Sequence, residues 1–295
     1  MSNYKGIVSI ETLGGLGNQL FKIATVIEYA KKYNKKIVLK ERSEGETNNN
    51  HENIDYNILL KNTKNVEILN DKEFKKINFK NVINEEYRMW KKHDIPYYKN
   101  NLLLLGGYQS PFNFSKKTVL ELTNNIYSYN NNYKNALKYY KYIQKRFDNY
   151  NDNDYVFIHI RRGDFNDGYY RRIINLSYIL KGLKILNGLN KVLIIFSDDI
   201  NWCKERLKIN NKQIFVDSIN DRYVELSLMS LIVNGIVYPE STYSFWGGLM
   251  GKKTKKIIAS NYDYKNNEII FTNEYNERYP KEWIVLDKII PVKKL

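Results

Sequence analysis

Apolar residues recur along the chain with two periods, one typical of buried strands and one typical of amphipathic helices. A largely apolar run at residues 6–11 predicts a buried strand, and a Gly-rich turn at residues 13–17 follows it. From residue 18 to about residue 33, Leu, Phe, Ile and Ala recur at helical spacing. Residues 37–39 predict a second strand, so the chain begins with a βαβ unit.

The middle of the chain is more polar. Residues 40–100 show no clear periodicity, whereas residues 102–105 predict another strand that ends in two glycines. A mixed Asn/Tyr/Lys stretch at residues 128–150 predicts a helix. The polar residues 151–154 then predict a domain boundary.

The second half alternates more regularly between strands and helices. The predicted strands are 155–160, 192–196, 213–216, 235–238 and 256–259, and the helices are 175–187, 200–208, 221–233 and 243–251. This alternation predicts an α/β protein with parallel, doubly wound sheets. The simplest architecture is two Rossmann-like domains that face each other, residues 1–150 and residues 151–295.

The formal net charge of +15 raises the question of a nucleic-acid partner. Lysines, however, are scattered singly or in pairs along the whole chain and form no dense block in the sequence. A composition biased toward Lys, Asn and Ile explains them better, so we expect no nucleic-acid partner. A basic protein would still attract acidic small molecules such as nucleoside diphosphates.

Other classes are excluded by composition. The single cysteine, Cys203, excludes an internal disulfide and fits a reducing compartment. With three scattered histidines it provides no zinc-type cluster. The longest apolar runs reach about half of a membrane span, and the N-terminus lacks a signal-peptide layout. We therefore expect no integral membrane segment and a cytoplasmic location.

Four segments lie just after predicted strands, where open parallel sheets bind their ligands. They are GGLGN at 14–18, RRGD at 161–164, SDD at 197–199 and PESTY at 239–243. We therefore expect the binding residues among them.

The RRGD segment is the most informative because arginine is scarce. Only ten arginines occur in a Lys+Arg total of 47, and four of them lie between residues 161 and 172. The planar arginine fork binds phosphate oxygens in a bidentate manner. Strand alternation places His159 and Arg161 on one side and Arg162 on the other. The pattern predicts that one arginine holds a diphosphate while the other braces the loop against Asp164. A surface ion pair is the alternative, and receptor binding through RGD is disfavoured directly after a buried strand.

The GGLGN turn begins a helix, and such an N-terminus is an anion site. Gly15 and Gly17 would let a ligand approach, although a structural tight turn is equally consistent with them. A dinucleotide fingerprint, with Glu41 as the ribose acid, would need a third glycine where Leu20 stands.

Hydroxyl and carboxylate groups in the other segments have two interpretations. Asp198 could contact a ribose hydroxyl or a base edge, or SDD could cap the next helix. Ser241 and Thr242 could offer phosphate their hydroxyls and backbone N–H groups, or act as a helix cap. Residues 152–154 imitate the DxD metal site of sugar transferases, but they precede their strand, so we expect a loop and no metal. No GxSxG or Walker pattern occurs.

The motifs occur together in the order seen in family 11 glycosyltransferases, which the chain resembles over nearly its whole length. The matching segments are GGLGNQLFKIA (14–24), GYQSPFNF (107–114), HIRRGDF (159–165), FSDD (196–199) and ESTYSFWGGLM (240–250). The resemblance implies α-1,2-fucosyltransfer, from GDP-fucose to a galactose-type hydroxyl, by an inverting reaction without a metal. It also implies a GT-B fold, with an acceptor-side domain first and a donor domain second. The last ~20 residues would pack back on the first domain.

The resemblance also implies roles for individual residues. Arg161 would neutralise the β-phosphate of the leaving GDP, and His159 would sit near the nucleotide. Asp198 would contact the guanine or ribose, while Ser241 and Thr242 would hold phosphate. The expected donor-binding set is completed by Arg162, Tyr243, Gly15 and Gly17.

A further set of residues is expected to act in catalysis. Asn18 would lie close to the β-phosphate from the first domain, and Asp164 would orient the arginine loop. The general base that deprotonates the acceptor is assigned to Glu11 or to Asp164.

The chain departs from the family pattern at Glu240, where an asparagine is common, and at Phe245, where a tryptophan is usual. Its GYQS segment is also shorter than the usual form. These departures leave open another nucleotide-deoxysugar, such as a rhamnose donor, with the same fold and mechanism. A nicotinamide-dependent oxidoreductase and a basic nucleic-acid-binding protein are less favoured alternatives.

Overall fold

A computed structural model of the protein describes residues 4–42, 54–85, 90–162, 176–238, 241–251, 255–260, 262–265, 268–271 and 277–286. The chain forms two compact units. Unit 1 comprises Met1–Tyr129 with Tyr275–Pro280, and unit 2 comprises Asn130–Glu274 with Lys281–Leu295. The division therefore falls earlier in the chain than the boundary expected at residue 150.

Unit 1 is built on a five-stranded parallel sheet. In chain order its elements are β1 (Ile7–Ile10), α1 (Leu16–Tyr33), β2 (Lys36–Lys40), α2 (Tyr56–Leu59), β3 (Val66–Leu69), α3 (Asp71–Phe74), β4 (Asn81–Asn84), β5 (Leu102–Leu105) and α4 (Lys116–Ser128). The strand order is β3-β2-β1-β5-β4, and all neighbours run parallel.

Helix α1 connects β1 to β2 and buries its apolar side chains, among them Leu20, Phe21 and Ile27. It ends at Asn34, whose φ of 53° places it in the left-handed region. In that conformation the Asn34 backbone N–H donates to the carbonyl oxygen of Ala30, which satisfies one of the last carbonyls of the helix. The βαβ unit predicted from the sequence is therefore present.

Unit 2 is built on a six-stranded parallel sheet. In chain order its elements are α5 (Asn132–Arg146), β6 (Tyr155–Ile160), α6 (Leu176–Ile185), β7 (Val192–Ser197), α7 (Ile200–Arg206), β8 (Lys212–Phe215), α8 (Arg222–Leu231), β9 (Asn234–Ile236), α9 (Thr242–Leu249), β10 (Lys256–Ser260), β11 (Tyr262–Lys265), β12 (Glu268–Phe271) and β13 (Ile284–Leu286). The strand order is β13-β10-β9-β6-β7-β8, and β11 and β12 form a separate antiparallel pair.

The core of unit 2 lies on both faces of β6, whose six residues are all buried. On one face, Val156 and Ile158 belong to an apolar cluster with Tyr178 and Leu183 of α6. Phe157 points to the opposite face, and its ring occupies the space beside Gly235 in β9. A strand buried on both faces explains why β6 is apolar in the sequence except at His159.

A short C-terminal segment returns to unit 1. The Glu277 carboxylate accepts from the backbone N–H of Lys92 at 2.6 Å, and its carbonyl accepts from the Ser110 hydroxyl at 2.8 Å. The fully buried Arg278 guanidinium lies 4.3 Å from the ring centroid of Trp90. Residues 277–280 thus complete unit 1, whereas β13 joins the sheet of unit 2.

The sequence and the structure differ most in the middle of the chain. The helix predicted across residues 128–150 begins too early, because a break separates α4 from α5. Asn130 and Asn131 have φ values of 43° and 59° there, and asparagine tolerates this left-handed backbone. The polar stretch 40–100, which gave no clear pattern, contains the edge strands β3 and β4.

Candidate active site

The strand order of unit 2 reverses between β6 and β9. From β6 the chain adds β7 and β8 on one side, and it then returns to place β9 on the other side. Open α/β sheets bind ligands in the crevice that such a reversal leaves at the carboxyl ends of the strands. Arg161 follows β6, and Ser241 lies beyond the end of β9, so two of the predicted binding segments border this crevice.

His159 is buried near the end of β6, and its ring centroid lies 5.5 Å from that of Tyr243 in α9. Burial, with a smaller contribution from the positive charge of Arg161, lowers the pKa of His159 to about 3. The imidazole is therefore neutral at pH 7. Its Nδ1 atom is buried and has no hydrogen-bond partner among the described residues. Because buried polar atoms are normally satisfied, Nδ1 is a candidate ligand contact.

Arg162 holds the loop after β6 against the loop after β7. Its Nε donates to the Asp199 carboxylate at 2.9 Å, and its guanidinium carbon lies 3.9 Å from the ring centroid of Trp202. Its backbone N–H donates to the Asp198 carboxylate at 2.7 Å. These contacts fit the bracing role expected of one arginine, with Asp199 as its partner. Asp164, the partner that the sequence suggested, lies outside the described residues.

Asp199 also begins helix α7. Its carboxylate accepts from the backbone N–H of Trp202 at 3.2 Å, as an N-cap residue does. The hydrogen bond from Arg162 lowers the pKa of Asp199, so the carboxylate stays ionised. The helix-cap interpretation of the SDD segment therefore applies to Asp199. Asp198 is the exposed carboxylate beside Arg162.

Helix α9 begins beside the same crevice. The Ser241 hydroxyl accepts from the backbone N–H of Ser244 at 3.3 Å, so this buried serine is the N-cap. Half-buried Thr242 is the first residue of the helix. The backbone N–H groups of a first helical turn, together with the positive end of the helix dipole, favour a negatively charged ligand.

Tyr243 links α9 to α8. Its hydroxyl donates to the carbonyl oxygen of Arg222 at 2.7 Å and lies 3.3 Å from the Glu225 carboxylate. Burial raises the pKa of Tyr243, and it raises the pKa of Glu225 to about 7 even though the Tyr243 hydrogen bond opposes that shift. Tyr243 therefore supports the crevice through its ring against His159 and its hydroxyl against α8.

This carboxyl makes the stability of unit 2 depend on pH. The pKa of Glu225 is about 7 in the folded state and 4.5 ordinarily, so the folded state binds more protons between these values. The stability that this carboxyl contributes is therefore fully present below pH 4.5, and it is lost as the pH rises through about 7. We expect Glu225→Gln to unfold with a free energy about 1–2 kcal/mol above that of the wild type at alkaline pH.

Urea unfolding at a series of pH values measures this effect. Glu205→Gln is the matched control, because Glu205 is exposed on α7. The same pH slope in the wild type and in Glu225→Gln would contradict the assignment.

The strand order of unit 1 also reverses, between β1 and β5. The GGLGN turn follows β1, and the GYQS segment follows β5. Gln109 Nε2 donates to Asn18 Oδ1 at 2.9 Å, so the two segments are joined by a hydrogen bond. Gly15 precedes the first residue of α1 with extended backbone, and Gly17 is buried in its first turn. The positive φ of the turn, 96°, belongs to Gly14 instead.

Two buried cations lie beside this turn. The Lys22 ammonium is buried and lies 3.6 Å from the Glu11 carboxylate. Burial lowers the pKa of Lys22, while the negative charges of Glu11 and Glu85 oppose the shift. Arg42, which follows β2, donates from Nη1 to the carbonyl oxygen of Gly14 at 2.9 Å. Glu11 is thus the carboxylate that balances a buried lysine.

A buried carboxylate, Glu85, holds the loop after β5. One of its oxygens accepts from the backbone N–H of Tyr108, and the other lies 2.8 Å from Nε2 of His93. Tyr108 needs this support because its φ of 49° is unusual for a tyrosine. The buried Tyr108 hydroxyl has no hydrogen-bond partner within the described parts of the chain.

A comparison of the whole sequence with models of known protein families identifies the family to which the chain belongs. The model of glycosyl transferase family 11 matches residues 1–287. The chain belongs to glycosyl transferase family 11. No curated protein matches it.

Three solved structures resemble this family 11 chain. NodZ α-1,6-fucosyltransferase soaked with GDP-fucose is 11% identical, with 91% of this chain and 99% of that chain covered and a TM-score of 0.50. The fucosyltransferase NodZ from Bradyrhizobium is 10% identical, with coverages of 91% and 98% and a TM-score of 0.48. POFUT1 in complex with GDP is 13% identical, with coverages of 87% and 98% and a TM-score of 0.48. The first likeness and the two parallel sheets confirm the expected α/β, GT-B-like fold class.

The DxD-like residues of the family 11 chain form a turn. Asp152 accepts from the Tyr140 hydroxyl at 3.2 Å and from Gln144 at 2.9 Å, and Asp154 takes part in a capping box with Asn151. Among the described residues, no group of three His, Cys, Asp or Glu side chains could hold a metal ion. None of the helices in the described part of the chain is both long enough and apolar enough to cross a membrane.

Several residues at the two carboxyl edges were not predicted from the sequence. Arg42 could have been noticed, because arginine is scarce and this one follows a strand. Gln109 lies in the GYQS segment, but its contact with Asn18 has no sequence signal. Glu85 and Glu225 are isolated acids in unremarkable surroundings, and only the fold reveals that they are buried beside the candidate site.

Proposed function

We propose that the protein is an inverting, metal-independent transferase that moves L-fucose from GDP-fucose to the 2-hydroxyl of a galactose-type acceptor. Membership of family 11 supports glycosyl transfer. The fold shared with NodZ, which was soaked with GDP-fucose, supports this donor. The observation that carries the proposal is the crevice between β6 and β9, bordered by Arg161 and by the N-terminus of α9.

The two arginines have different tasks in this proposal. The guanidinium of Arg162 is engaged by Asp199 and Trp202. We assign the diphosphate to Arg161, which directly follows the same buried strand, on the side of His159. The neutral imidazole of His159 contributes hydrogen bonding rather than charge. Unit 2 is accordingly the donor-binding unit, and unit 1 is the acceptor-side unit.

The proposed reaction depends on stabilising the leaving group. The acceptor hydroxyl attacks the anomeric carbon from the face opposite GDP, which inverts the β-linked donor to an α-linked product. Negative charge grows on the departing diphosphate, where Arg161 and the first-turn N–H groups of α9 stabilise it. Asp198 binds the guanine or ribose, and Thr242 adds a hydroxyl to the phosphate contacts.

Unit 1 supplies the remaining catalytic candidates. Asn18 begins α1 beside the glycine turn, and Gln109 orients its amide by donating to Oδ1. Asn18 is proposed to contact the β-phosphate. The general base is assigned to Glu11 or Asp164. If Glu11 is the base, its protonation would remove the negative charge that faces the buried ammonium of Lys22.

A donor screen tests the proposed function. Transfer and hydrolysis are measured with GDP-fucose and with other GDP-, UDP- and dTDP-sugars, and GDP and NADH are titrated in parallel. We expect turnover of GDP-fucose and binding of GDP. Preference for a rhamnose donor would overturn the substrate and leave the fold assignment intact. Binding of NADH in place of GDP would overturn the transferase assignment.

The contact between Arg162 and Asp199 gives a prediction about the loop. We expect Arg162→Ala and Asp199→Asn each to lower kcat/KM about tenfold, because the loop that carries Arg161 loses its brace. Asparagine keeps the helix cap, so its effect reports the ion pair. The kcat/KM of the double variant should be no lower than that of either single variant. The two effects would then share an interaction free energy of about 1 kcal/mol, as expected for this partly exposed pair. Lys204→Ala on the same helix is the control, and strictly additive effects would contradict the brace.

Metal independence gives a second prediction. Treating the enzyme with EDTA is expected to leave the transfer rate unchanged, because Arg161 and the α9 N-terminus neutralise the diphosphate. The rate is measured before chelation, after chelation and after adding Mn²⁺. A strict Mn²⁺ requirement would contradict the prediction and return attention to Asp152 and Asp154.

A further inference from the structure

The fold gathers lysines that the sequence scatters. In α5 the lysines Lys134, Lys138, Lys141 and Lys145 recur at intervals of three or four residues. At about 100° per residue they lie within about 60° of one another around the helix axis. They therefore form one straight row, the lysine stripe, which is about 16 Å long.

The stripe projects from the molecule rather than lying against it. The buried residues of α5 are Asn132, Ala136, Tyr140 and Ile143, which occupy the opposite side of the axis. That buried side packs against α8, so the helix is held firmly in the core of unit 2. All four lysines of the stripe are exposed. The helix itself contains no Asp or Glu, so no acid within α5 neutralises the row.

Exposed aromatic residues lie on both sides of the stripe. Tyr142 is 59% exposed on one side, and Tyr133 is 38% exposed on the other. The positive surface continues past the end of the helix, where Lys212 lies 5.0 Å from the ring centroid of Tyr150. The ring of Tyr142 lies 6.2 Å from that of Tyr139, centroid to centroid, and still leaves most of its surface exposed beside the cations.

We propose that the lysine stripe is a docking surface for an anionic lipid bilayer. Lysine is a hydrated point charge, suited to a diffuse negative surface, whereas sites that grip individual phosphates favour the arginine fork. Tyrosine is the residue type that lies at the level of lipid headgroups. A flat, rigid helix face with both features matches a planar partner. The proposal is independent of the donor and the reaction.

Vesicle binding tests the proposal. The full-length protein is mixed with vesicles of phosphatidylcholine alone, or of phosphatidylcholine with phosphatidylglycerol, and its partitioning is measured by co-sedimentation. We expect binding to the anionic vesicles only, weakening as salt is added. Each lysine near such a surface contributes about fivefold to the partition coefficient. Changing the four stripe lysines to glutamine should therefore weaken binding at least ~100-fold.

A second variant separates the stripe from net charge. Lys61, Lys64, Lys72 and Lys76 are exposed on unit 1, and changing them to glutamine removes the same charge elsewhere. This control should bind anionic vesicles within a few-fold of the wild type. Thermal unfolding confirms that both variants are folded.

Three outcomes would overturn the proposal. The first is that the wild type fails to bind anionic vesicles, and the second is that the control loses as much affinity as the stripe variant. The third is that a duplex oligonucleotide, measured by fluorescence anisotropy, binds more tightly than vesicles through the same lysines. That result would assign the stripe to a nucleic acid instead.

Discussion

Arg161→Lys is expected to lower kcat by about 10²–10³, almost as much as Arg161→Ala. Lysine keeps the positive charge but loses the planar fork, which contacts two phosphate oxygens at once. Because the negative charge on the diphosphate grows during the reaction, the loss should fall on kcat more than on KM. Steady-state kinetics with GDP-fucose measures both constants, and calorimetric titration with GDP measures binding.

Arg206→Lys is the matched control for this experiment. Arg206 is exposed at the end of α7, so the same exchange there should leave kcat unchanged. Circular dichroism shows whether each variant is folded. Near-normal turnover by Arg161→Lys would end the diphosphate role of this arginine, even if GDP-fucose remained the donor.

Gly235→Ala is expected to lower the free energy of unfolding by about 3 kcal/mol, near the upper end for an overpacked core. An added Cβ at position 235 would overlap the ring of Phe157, and that ring is fully buried on the central strand β6. The ring has little space to move because β9 and β6 are hydrogen-bonded neighbours. Urea unfolding measures the change.

Gly107→Ala provides the comparison. A Cβ there would meet only the flexible side chain of Gln109, at 3.3 Å, so the cost should be small. If Gly235→Ala were as stable as the wild type, the close packing of β6 against β9 would be wrong. The two glycines thus separate a steric effect from the general effect of replacing glycine.

The fold was predictable where burial dominates the sequence. β5 and β6 begin and end at the predicted residues because both are predominantly apolar runs inside their sheets. β3 and β4 were missed because they are short edge strands in which no residue is fully buried. The break between α4 and α5 was missed as well, because asparagines are frequent throughout this chain and do not mark a turn by themselves.

The candidate site was predictable in its segments but not in its contacts. Strand-end position and the scarcity of arginine pointed to Arg161 and Arg162 without any structure. One of the two arginines was expected to brace the loop against Asp164, which lies outside the described residues, and nothing in the sequence indicated that Arg162 would pair with Asp199 on the next strand-end loop. Contacts such as Gln109 with Asn18 join residues that are far apart in sequence, so periodicity and spacing carry no information about them.

The return of residues 277–280 to unit 1 has a consequence for exchanging parts between relatives. A chimera joined once, after Tyr129, would leave Lys92 and Ser110 facing a C-terminal segment from the other parent. The foreign segment would have to fit Trp90 as Arg278 does. Because unit 1 is the proposed acceptor-side unit, acceptor preference should transfer between family members only when both of its stretches move together, which takes three crossover sites rather than one.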